Sequence, residues 1–261
     1  MDNVRNIAAG RAGVGSSIVG AIVVIAILVA LVYLIYYVLS DWRYTSASSP
    51  WLVKGTRIAR KALRLPASLI PVSNDSRYGI EFTYSFWMYV NSWSTPNQLA
   101  GGSNLQHILH KGSSEANPQF QAPGIYMDQN SNRIVVKMNT FGNLNEECIV
   151  DNIPIGKWVY VTVVVINKNI DIYVNGNLKN RCTLTGIPMQ NVGDMYITQN
   201  GGFDGMLGNV QYFNRALPYW KIEQLFNIGP PMTPCPESGV RPPYLASGFW
   251  LSDSKGQEVN N

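Results

Sequence analysis

The sequence predicts an all-β protein, an antiparallel sandwich of two sheets that is preceded by a single transmembrane α-helix. Trp158–Ile166 is a run of nine uncharged residues, rich in β-branched side chains. A strand without charge on either face belongs in the middle of a sheet that is covered on both sides. Residues 18–39 are 22 residues without a charge, and a helix of that length spans the hydrocarbon core of a bilayer.

The strand Trp158–Ile166 opens an antiparallel meander. A short Asn-Lys-Asn turn leads to Ile170–Val174, in which apolar and polar side chains alternate. Asn175-Gly176 then favours a two-residue hairpin, because a type I′ turn needs a positive φ at both positions. Residues 178–184 alternate again, so we predict a third strand there.

The remaining predicted strands lie on either side of this meander. Ile80–Val90 is the longest, with a strongly apolar face at alternate positions. A short helix with apolar positions at Ile222, Leu225 and Phe226 closes the pattern. Shorter strands are predicted at residues 106–110, 124–127, 133–139, 146–151, 195–198 and 208–213.

The sequence divides into five parts of different composition. These are an N-terminal tail (1–17), the transmembrane helix (18–39), a basic juxtamembrane linker (40–66), the β domain (67–229) and a C-terminal tail (230–261) rich in Pro, Gly and Ser. A tail of that composition is expected to be largely disordered. The β domain is large enough to fold as one unit.

The charges are placed unevenly along the chain. The formal net charge is +4, with +5 in residues 40–66 and −2 in residues 67–261. The β domain therefore has no strongly basic surface of the kind that binds nucleic acid. We expect no nucleic-acid partner.

The helix at residues 18–39 is predicted to be a retained anchor, which makes the lipid bilayer a partner and the chain a single-pass membrane protein. A cleavable signal peptide has a shorter apolar stretch that small residues follow. Here Tyr33, Tyr36 and Tyr37 crowd the C-terminal end, as interfacial aromatic anchors do. Basic residues flank the helix almost equally on both sides, so the sequence leaves the orientation open.

Two features allow two interpretations each. Lys54–Leu65 has basic residues at helical spacing; it is either a patch held against anionic lipid or a solvated linker. Cys148 and Cys182 could pair on neighbouring strands, but the odd cysteine count, with Cys235, and the burial habits of free cysteine favour unpaired thiols.

Four blocks in order carry a family resemblance. They are FTYSFWMYV (Phe82–Val90), HILHKG (His107–Gly112), IPIGKWVYVTVVV with IDIYVNG (Ile153–Gly176), and FDGMLGNVQYFNRALPYWKIEQLF (Phe203–Phe226). Together they resemble laminin-G-like, concanavalin A-like lectin and glucanase domains. The resemblance covers most of residues 67–229 and implies a jelly-roll sandwich.

The resemblance lies in core and turn positions, which specify a fold and leave function open. Our first hypothesis is a non-enzymatic, membrane-anchored module that binds a glycan or protein ligand or serves as a structural attachment. A single N-terminal anchor before such a domain also resembles membrane proteins of large double-stranded DNA viruses. In a virion the protein would be a membrane or minor capsid-associated component in contact with capsid proteins. The alternatives are a calcium-dependent lectin and a membrane-tethered glycoside hydrolase.

The hydrolase alternative needs two carboxylates that flank the scissile bond. The Glu-x-Asp-x-x-Glu pattern of glucanases is absent, and Glu146, Glu147 and Asp151 come nearest to it. Strand alternation puts Glu147 and Asp151 on one face without a third member. We therefore assign no catalytic residue.

No metal ligand or cofactor-binding residue is assigned either, and no cofactor is expected. His107 and His110 lie three apart on a predicted strand, so they should face opposite sides and not share a metal. Some relatives of the resembled family bind calcium at the rim, and Asp128, Asp194 and Asp204 lie in turns where such ligands could gather. Aspartate also favours turns for backbone reasons.

Overall fold

The computed structural model describes residues 19–38, 48–76, 79–93, 104–115 and 118–233. The chain divides into two units, residues 1–47 and 48–261. The first contains helix α1, Val19–Val38, which is long and apolar enough to cross a membrane. A signal sequence near an N-terminus has the same properties. The predicted N-terminal tail and residues 234–261 of the predicted C-terminal tail lie outside the described residues.

The described part of the second unit contains thirteen strands, a short 3₁₀ helix at Ala67–Leu69 and one α-helix. The strands are β1 (Trp51–Ile58), β2 (Leu63–Leu65), β3 (Asn74–Ser76), β4 (Gly79–Val90), β5 (Leu105–Gly112), β6 (Gln121–Asp128), β7 (Arg133–Met138), β8 (Glu146–Asp151), β9 (Trp158–Ile166), β10 (Asn169–Val174), β11 (Asn177–Thr183), β12 (Asp194–Ile197) and β13 (Gly205–Phe213). Helix α2 is Tyr219–Ile228.

The strands form two antiparallel sheets that face each other across the core, which confirms the predicted sandwich. The larger sheet has the order β1-β13-β4-β9-β10-β11, with β3 paired to β4 as its seventh strand. The six-stranded sheet has the order β2-β12-β5-β6-β7-β8.

Strand β9 lies in the middle of the larger sheet, between β4 and β10, as predicted. Its inward valines join the main core. On the outer face, Tyr160 and Trp87 belong to a second apolar cluster that α2 closes with its buried Ile222. Because both faces of β9 are covered, the whole strand is free of charge. The Trp87 ring stacks on Phe226 of α2 with centroids 5.8 Å apart.

The predicted Asn175-Gly176 turn is confirmed. Its two residues have φ values of 51° and 77°, the left-handed conformation that a type I′ hairpin requires. The Oδ1 atom of Asn175 also accepts a hydrogen bond of 2.9 Å from the backbone N–H of Tyr160. The turn therefore fixes the register of β10 and β11 and is tied to β9 as well.

Strands β1 and β2 correct the prediction of a linker over residues 40–66. β1 pairs with β13, with Trp51 opposite Gln211 and Ile58 opposite Met206, and β2 pairs with β12. The helical spacing of the basic residues misled the interpretation, because pairing with the exposed edge of β13 outweighs a local preference. Residues 40–47 lie outside the described part.

The sandwich has two ends, which we name by the course of the chain. The entry end is the one at which Ser48 leads into β1; the backbone N–H of Asn214, just after β13, donates to the Ser48 carbonyl there. The loops after β2, β5, β7, β9 and β11 lie at this end. The far end holds the turns after β1, β6, β8, β10 and β12.

A disulfide bond joins Cys148 of β8 to Cys182 of β11. It links the edges of the two sheets, and the Nδ2 atom of Asn180 donates across the same gap to the Ile149 carbonyl at 2.8 Å. The favoured interpretation of unpaired thiols is therefore wrong for this pair. The edges of the two sheets meet here and bring the Cα atoms of Cys148 and Cys182 to 5.8 Å. The spacing of cysteines along the sequence does not show such a meeting. Cys235 lies outside the described residues.

Candidate ligand-binding site

A row of mostly polar and aromatic residues crosses the outer face of the six-stranded sheet. Neighbours in this polar row face each other directly across the strands, because register is kept from β2 to β8. The row consists of Arg64, Tyr196, His110, Gly124, Lys137 and Glu147. Its two charged ends reach solvent, whereas Tyr196 and His110 are buried.

His107 and His110 lie side by side, although the sequence predicted opposite faces. The prediction is wrong because β5 contains a bulge. His107 pairs with Tyr126 and Leu109 with Ile125, which leaves Ile108 as an extra residue. One inserted residue shifts the alternation, so Nε2 of His107 comes within 2.5 Å of Nδ1 of His110.

Hydrogen bonds fix the protons on both rings. The backbone N–H of Gln199 donates to Nδ1 of His107 at 3.0 Å, so Nε2 of His107 carries the proton and donates to His110. Nε2 of His110 then donates to the Ser113 carbonyl at 2.8 Å. Burial lowers the pKa of both histidines, and the neighbouring His110 lowers that of His107 further. Every ring nitrogen is occupied, so the pair offers no base to a substrate.

The centre of the polar row is closed by a side chain from the start of β6. Tyr126 donates to Oε1 of Gln121 at 2.6 Å, and Nε2 of Gln121 donates to the Pro118 carbonyl. The amide lies so close to Gly124 that a Cβ there would meet Oε1 at 1.9 Å. The central part of this face is therefore a packed polar layer, and only the ends of the row are open to a ligand.

The buried histidine pair predicts acid sensitivity. The chain has two histidines, and the folded-state pKa of each lies below the ordinary 6.5. Below pH 6.5 the unfolded chain takes up protons on its histidines more readily than the folded chain does. The free energy of unfolding therefore falls as the pH is lowered below 6.5, by up to about 1.4 kcal/mol per pH unit for each proton. Urea unfolding between pH 7.5 and 5 should show this decline.

The control is the double variant His107→Gln/His110→Gln, which keeps hydrogen-bonding groups but cannot take up a proton. Its free energy of unfolding should change less with pH between about 6.5 and 5. Parallel pH profiles of variant and native chain would contradict a neutral, buried pair.

The carboxylates of β8 do not form a catalytic pair. Glu146 is buried and accepts hydrogen bonds from Thr140, Thr185 and Gly186. Glu147 and Asp151 share the exposed face, as alternation requires, but four residues of strand separate their Cα atoms by roughly 13 Å. Glycosidase carboxylates lie roughly 5 to 10 Å apart. Glu147 is also held by Lys137 at 3.2 Å.

The three turn aspartates do not gather around a metal. Asp128 and Asp194 lie at opposite ends of β5, paired with Leu105 and Gly112 respectively. Each of the three is neutralised by an arginine, in the pairs Asp128–Arg133, Asp194–Arg64 and Asp204–Arg60. Within the described ranges there is no cluster of three His, Cys, Asp or Glu that could hold a metal ion.

The basic residues of Lys54–Leu65 do not form one patch. Strand β1 carries the chain from the entry end to the far end, where Arg60 pairs with Asp204 at 3.4 Å. Strand β2 then returns, and Arg64 pairs with Asp194 at 2.6 Å. These residues are therefore spread along the edges of both sheets and partly neutralised, which does not support a juxtamembrane lipid patch.

A small pocket of about 140 Å³ opens at the far end, between β8 of one sheet and β11 of the other. Its rim carries one carboxylate, one ammonium group and two amides, from Asp151, Lys179, Asn152 and Asn177, all exposed. Its floor is apolar and buried, made by Val150, Ile153 and Val174. Converging polar groups over an apolar floor are typical of small-ligand sites. We call it the far-end pocket.

Sequence reasoning singled out Asp151 but not its neighbours in this pocket. The pocket joins two strands from different sheets, so no spacing along the chain shows it. A weak sequence signal exists in Asn152 and Asn175, which line the pocket, because asparagine tolerates the positive φ that both adopt. A second cavity, of about 200 Å³, lies at the entry end and is lined by Phe120, Asn139, Met189, Asn191 and Val192 among others.

The sequence matches a known domain family. A laminin-G family model, described as the concanavalin A-like lectin/glucanases superfamily, matches residues 63–222. The chain belongs to this superfamily. The match runs from β2 into α2, so β1 and α1 lie outside it. Among the curated proteins, none matches this sequence.

Three solved structures of similar fold each share less than a fifth of their sequence with this chain. The binding domain of botulinum neurotoxin serotype G is 16% identical, with a TM-score of 0.45, over 66% of this chain and 46% of that one. A botulinum neurotoxin serotype D ligand binding domain in complex with N-acetylneuraminic acid is 14% identical, with a TM-score of 0.49, over 70% of this chain and 47% of that one. A structure described as an HCR/D mutant is 14% identical, with a TM-score of 0.50, over 70% of this chain and 47% of that one.

The similarity with a TM-score of 0.50 shows the fold alone. This concanavalin A-like chain spans about half the length of each of the three chains. The predicted resemblance to laminin-G-like domains is confirmed by the family match. The resemblance to viral membrane proteins stays a prediction, since neither the described residues nor the comparisons bear on it.

Proposed function

We propose that this protein is a non-enzymatic, membrane-anchored binding module. Helix α1 is retained in the bilayer, and the sandwich holds a glycan or protein ligand. The far-end pocket is the observation that carries the proposal, because residues with carboxylate, ammonium and amide groups line it together with buried apolar residues. Such groups donate to and accept from sugar hydroxyls, so a glycan is the ligand class that the pocket suits best.

The superfamily includes both lectins and glucanases. The positions of the carboxylates in this chain favour the lectins. Asp151 is the one acidic residue among those that line the pocket, whereas glycoside hydrolysis ordinarily needs two. Asp128, Glu147, Asp194 and Asp204 are paired with basic side chains. Binding without hydrolysis is therefore the better supported function.

The disulfide supports one orientation of the module. Disulfides form and persist in oxidising compartments, and Cys148–Cys182 connects the edges of the two sheets. A sandwich on the non-cytoplasmic side of the membrane would keep this bond. That orientation also makes the ligand extracellular or lumenal, where glycans are displayed.

The proposal is tested by binding of the full-length chain, held in lipid nanodiscs, to a broad glycan array with calcium and with chelator. We expect a defined sugar class in both conditions. The variant Asp151→Ala should weaken that binding by about tenfold, which corresponds to about 1.4 kcal/mol. Glu147→Gln, an exposed carboxylate on the same strand outside the pocket, is the matched control and should bind like the native chain.

Each other outcome points elsewhere. Silence in both conditions would contradict a glycan ligand and direct the search to cross-linked protein partners. Binding that needs calcium would indicate the calcium-dependent lectin. Release of reducing sugars that Asp151→Ala abolishes would indicate a hydrolase instead.

A further inference from the structure

Among the loops that join the strands, exposed apolar side chains are concentrated at one end of the sandwich. Among the described loops, the entry end carries six large apolar residues that are each at least half exposed: Leu69, Val72, Phe120, Phe141, Ile187 and Val192. Phe141 is 76% exposed and Val192 74%. The described loops between strands at the far end carry one, Ile155, and four more such residues lie on helix α2 or just after it: Tyr219, Trp220, Ile228 and Met232. Concentrated exposed apolar surface marks a contact with a membrane or another protein.

The entry-end loops are tied to one another, so their apolar side chains form a fixed surface. The hydroxyl of Ser73 donates to Oε1 of Gln190 at 2.5 Å, which joins the loop after β2 to the loop before β12. The backbone N–H of Phe141 donates to the Ile187 carbonyl at 3.1 Å, which joins the loop after β7 to the same loop before β12. Phe120 and Val192 line one shared cavity.

The short segment between α1 and the sandwich indicates which partner the entry end contacts. Nine residues, 39–47, separate Val38, the last residue of α1, from Ser48, where the chain enters the sandwich at this end. Fully extended, nine residues reach at most roughly 32 Å. Chain length alone therefore keeps Ser48 within roughly 32 Å of a bilayer that retains α1, and Ser48 belongs to the apolar end.

We propose that the entry end docks on the lipid bilayer, with Phe120, Phe141, Ile187 and Val192 in its interfacial layer. The inference rests on the proposed function only in that α1 is retained. Arg60 lies at the far end and is paired with Asp204, and Arg64, which is nearer the entry end, is paired with Asp194. The contact is therefore mainly apolar and does not need anionic lipid. Docking also turns the far-end pocket away from the membrane, towards a ligand.

The test measures immersion of single spin labels in the full-length chain, reconstituted in phosphatidylcholine liposomes. With Cys235→Ser as background, a nitroxide is placed at Phe141→Cys or, as matched control, at Ile155→Cys, which is 51% exposed at the far end. Collision with an aqueous nickel chelate should be about tenfold weaker at position 141 than at 155, and collision with oxygen stronger, as for a side chain in the acyl boundary. Added phosphatidylserine should leave both values unchanged.

Equal chelate access at the two positions would overturn docking. Spin–spin broadening at position 141 that grows with the protein-to-lipid ratio would also overturn it, in favour of contact between two copies of the chain. A label at Leu28→Cys reports α1 separately. If it is immersed while position 141 is aqueous, the anchor stands and docking is wrong; if position 28 is aqueous too, the retained anchor itself is wrong.

Discussion

Replacing Glu146 by glutamine is expected to lower the free energy of unfolding by roughly 3 kcal/mol. The carboxylate accepts from the hydroxyls of Thr140 and Thr185 and from the backbone N–H groups of Thr185 and Gly186. Glutamine has the same shape but turns an NH₂ group towards one of those N–H donors. A buried donor is then left without an acceptor, which is why an isosteric change has a large effect.

The same carboxylate should dominate acid unfolding at low pH. Burial raises the pKa of Glu146, but the hydrogen bonds from Thr140, Thr185 and Gly186 outweigh it and lower the pKa to about 2, from 4.5. Because the folded-state pKa lies below the unfolded one, the stabilisation is present above pH 4.5 and is lost as the pH falls from 4.5 towards 2. The Glu146→Gln variant should lack this part of the acid transition.

The adjacent residue supplies the control. Glu147→Gln removes a carboxylate that is 41% exposed and paired with Lys137, and exposed pairs contribute less than about 1 kcal/mol. Urea unfolding followed by circular dichroism measures both variants in the same detergent. Equal losses for the two would show that Glu146 does not connect the loops after β7 and β11.

Removing the disulfide is expected to lower the free energy of unfolding by roughly 3 to 4 kcal/mol, since the closed loop contains about 34 residues. The measurement compares Cys148→Ala/Cys182→Ala with the native chain, and Cys235→Ala serves as the control. At roughly 2 to 4 °C per kcal/mol, the melting temperature should fall by about 6 to 16 °C.

The same experiment bears on the side of the membrane. In protein taken from its native membrane, maleimide should label Cys148 and Cys182 only after reduction. Labelling without reductant would mean that the pair is reduced there, and the proposed orientation would then be wrong.

The meander and its turn could be read from the sequence because their causes are local. β9 shows its burial on both faces as an unbroken apolar run, and the Asn175-Gly176 turn follows from the φ values that these residues tolerate. β8 was predicted at its observed bounds, Glu146–Asp151. In these segments the residues that decide the structure are neighbours in the chain.

The missed features depend on partners far away in sequence. Ile108 forms a bulge only because its neighbours pair with β6, so strict alternation placed the two histidines on opposite faces. β1 gains its structure from the edge of β13, more than 140 residues further along. The far-end pocket likewise needs Asp151 and Lys179 from different sheets. The local pattern of apolar and polar residues along the sequence carries no information on these contacts.

The position of β1 also decides how the molecule carries mechanical load. In the proposed membrane-anchored molecule, a ligand that pulls on the far end while α1 holds Ser48 would stretch the sandwich along its strands. β1 takes that tension first, and its hydrogen bonds to β13, from Trp51–Gln211 to Ile58–Met206, lie across the direction of pull, as in any antiparallel pair. They are sheared together instead of opening one after another. The edge strand outside the family match is thus placed to act as a tether that resists force.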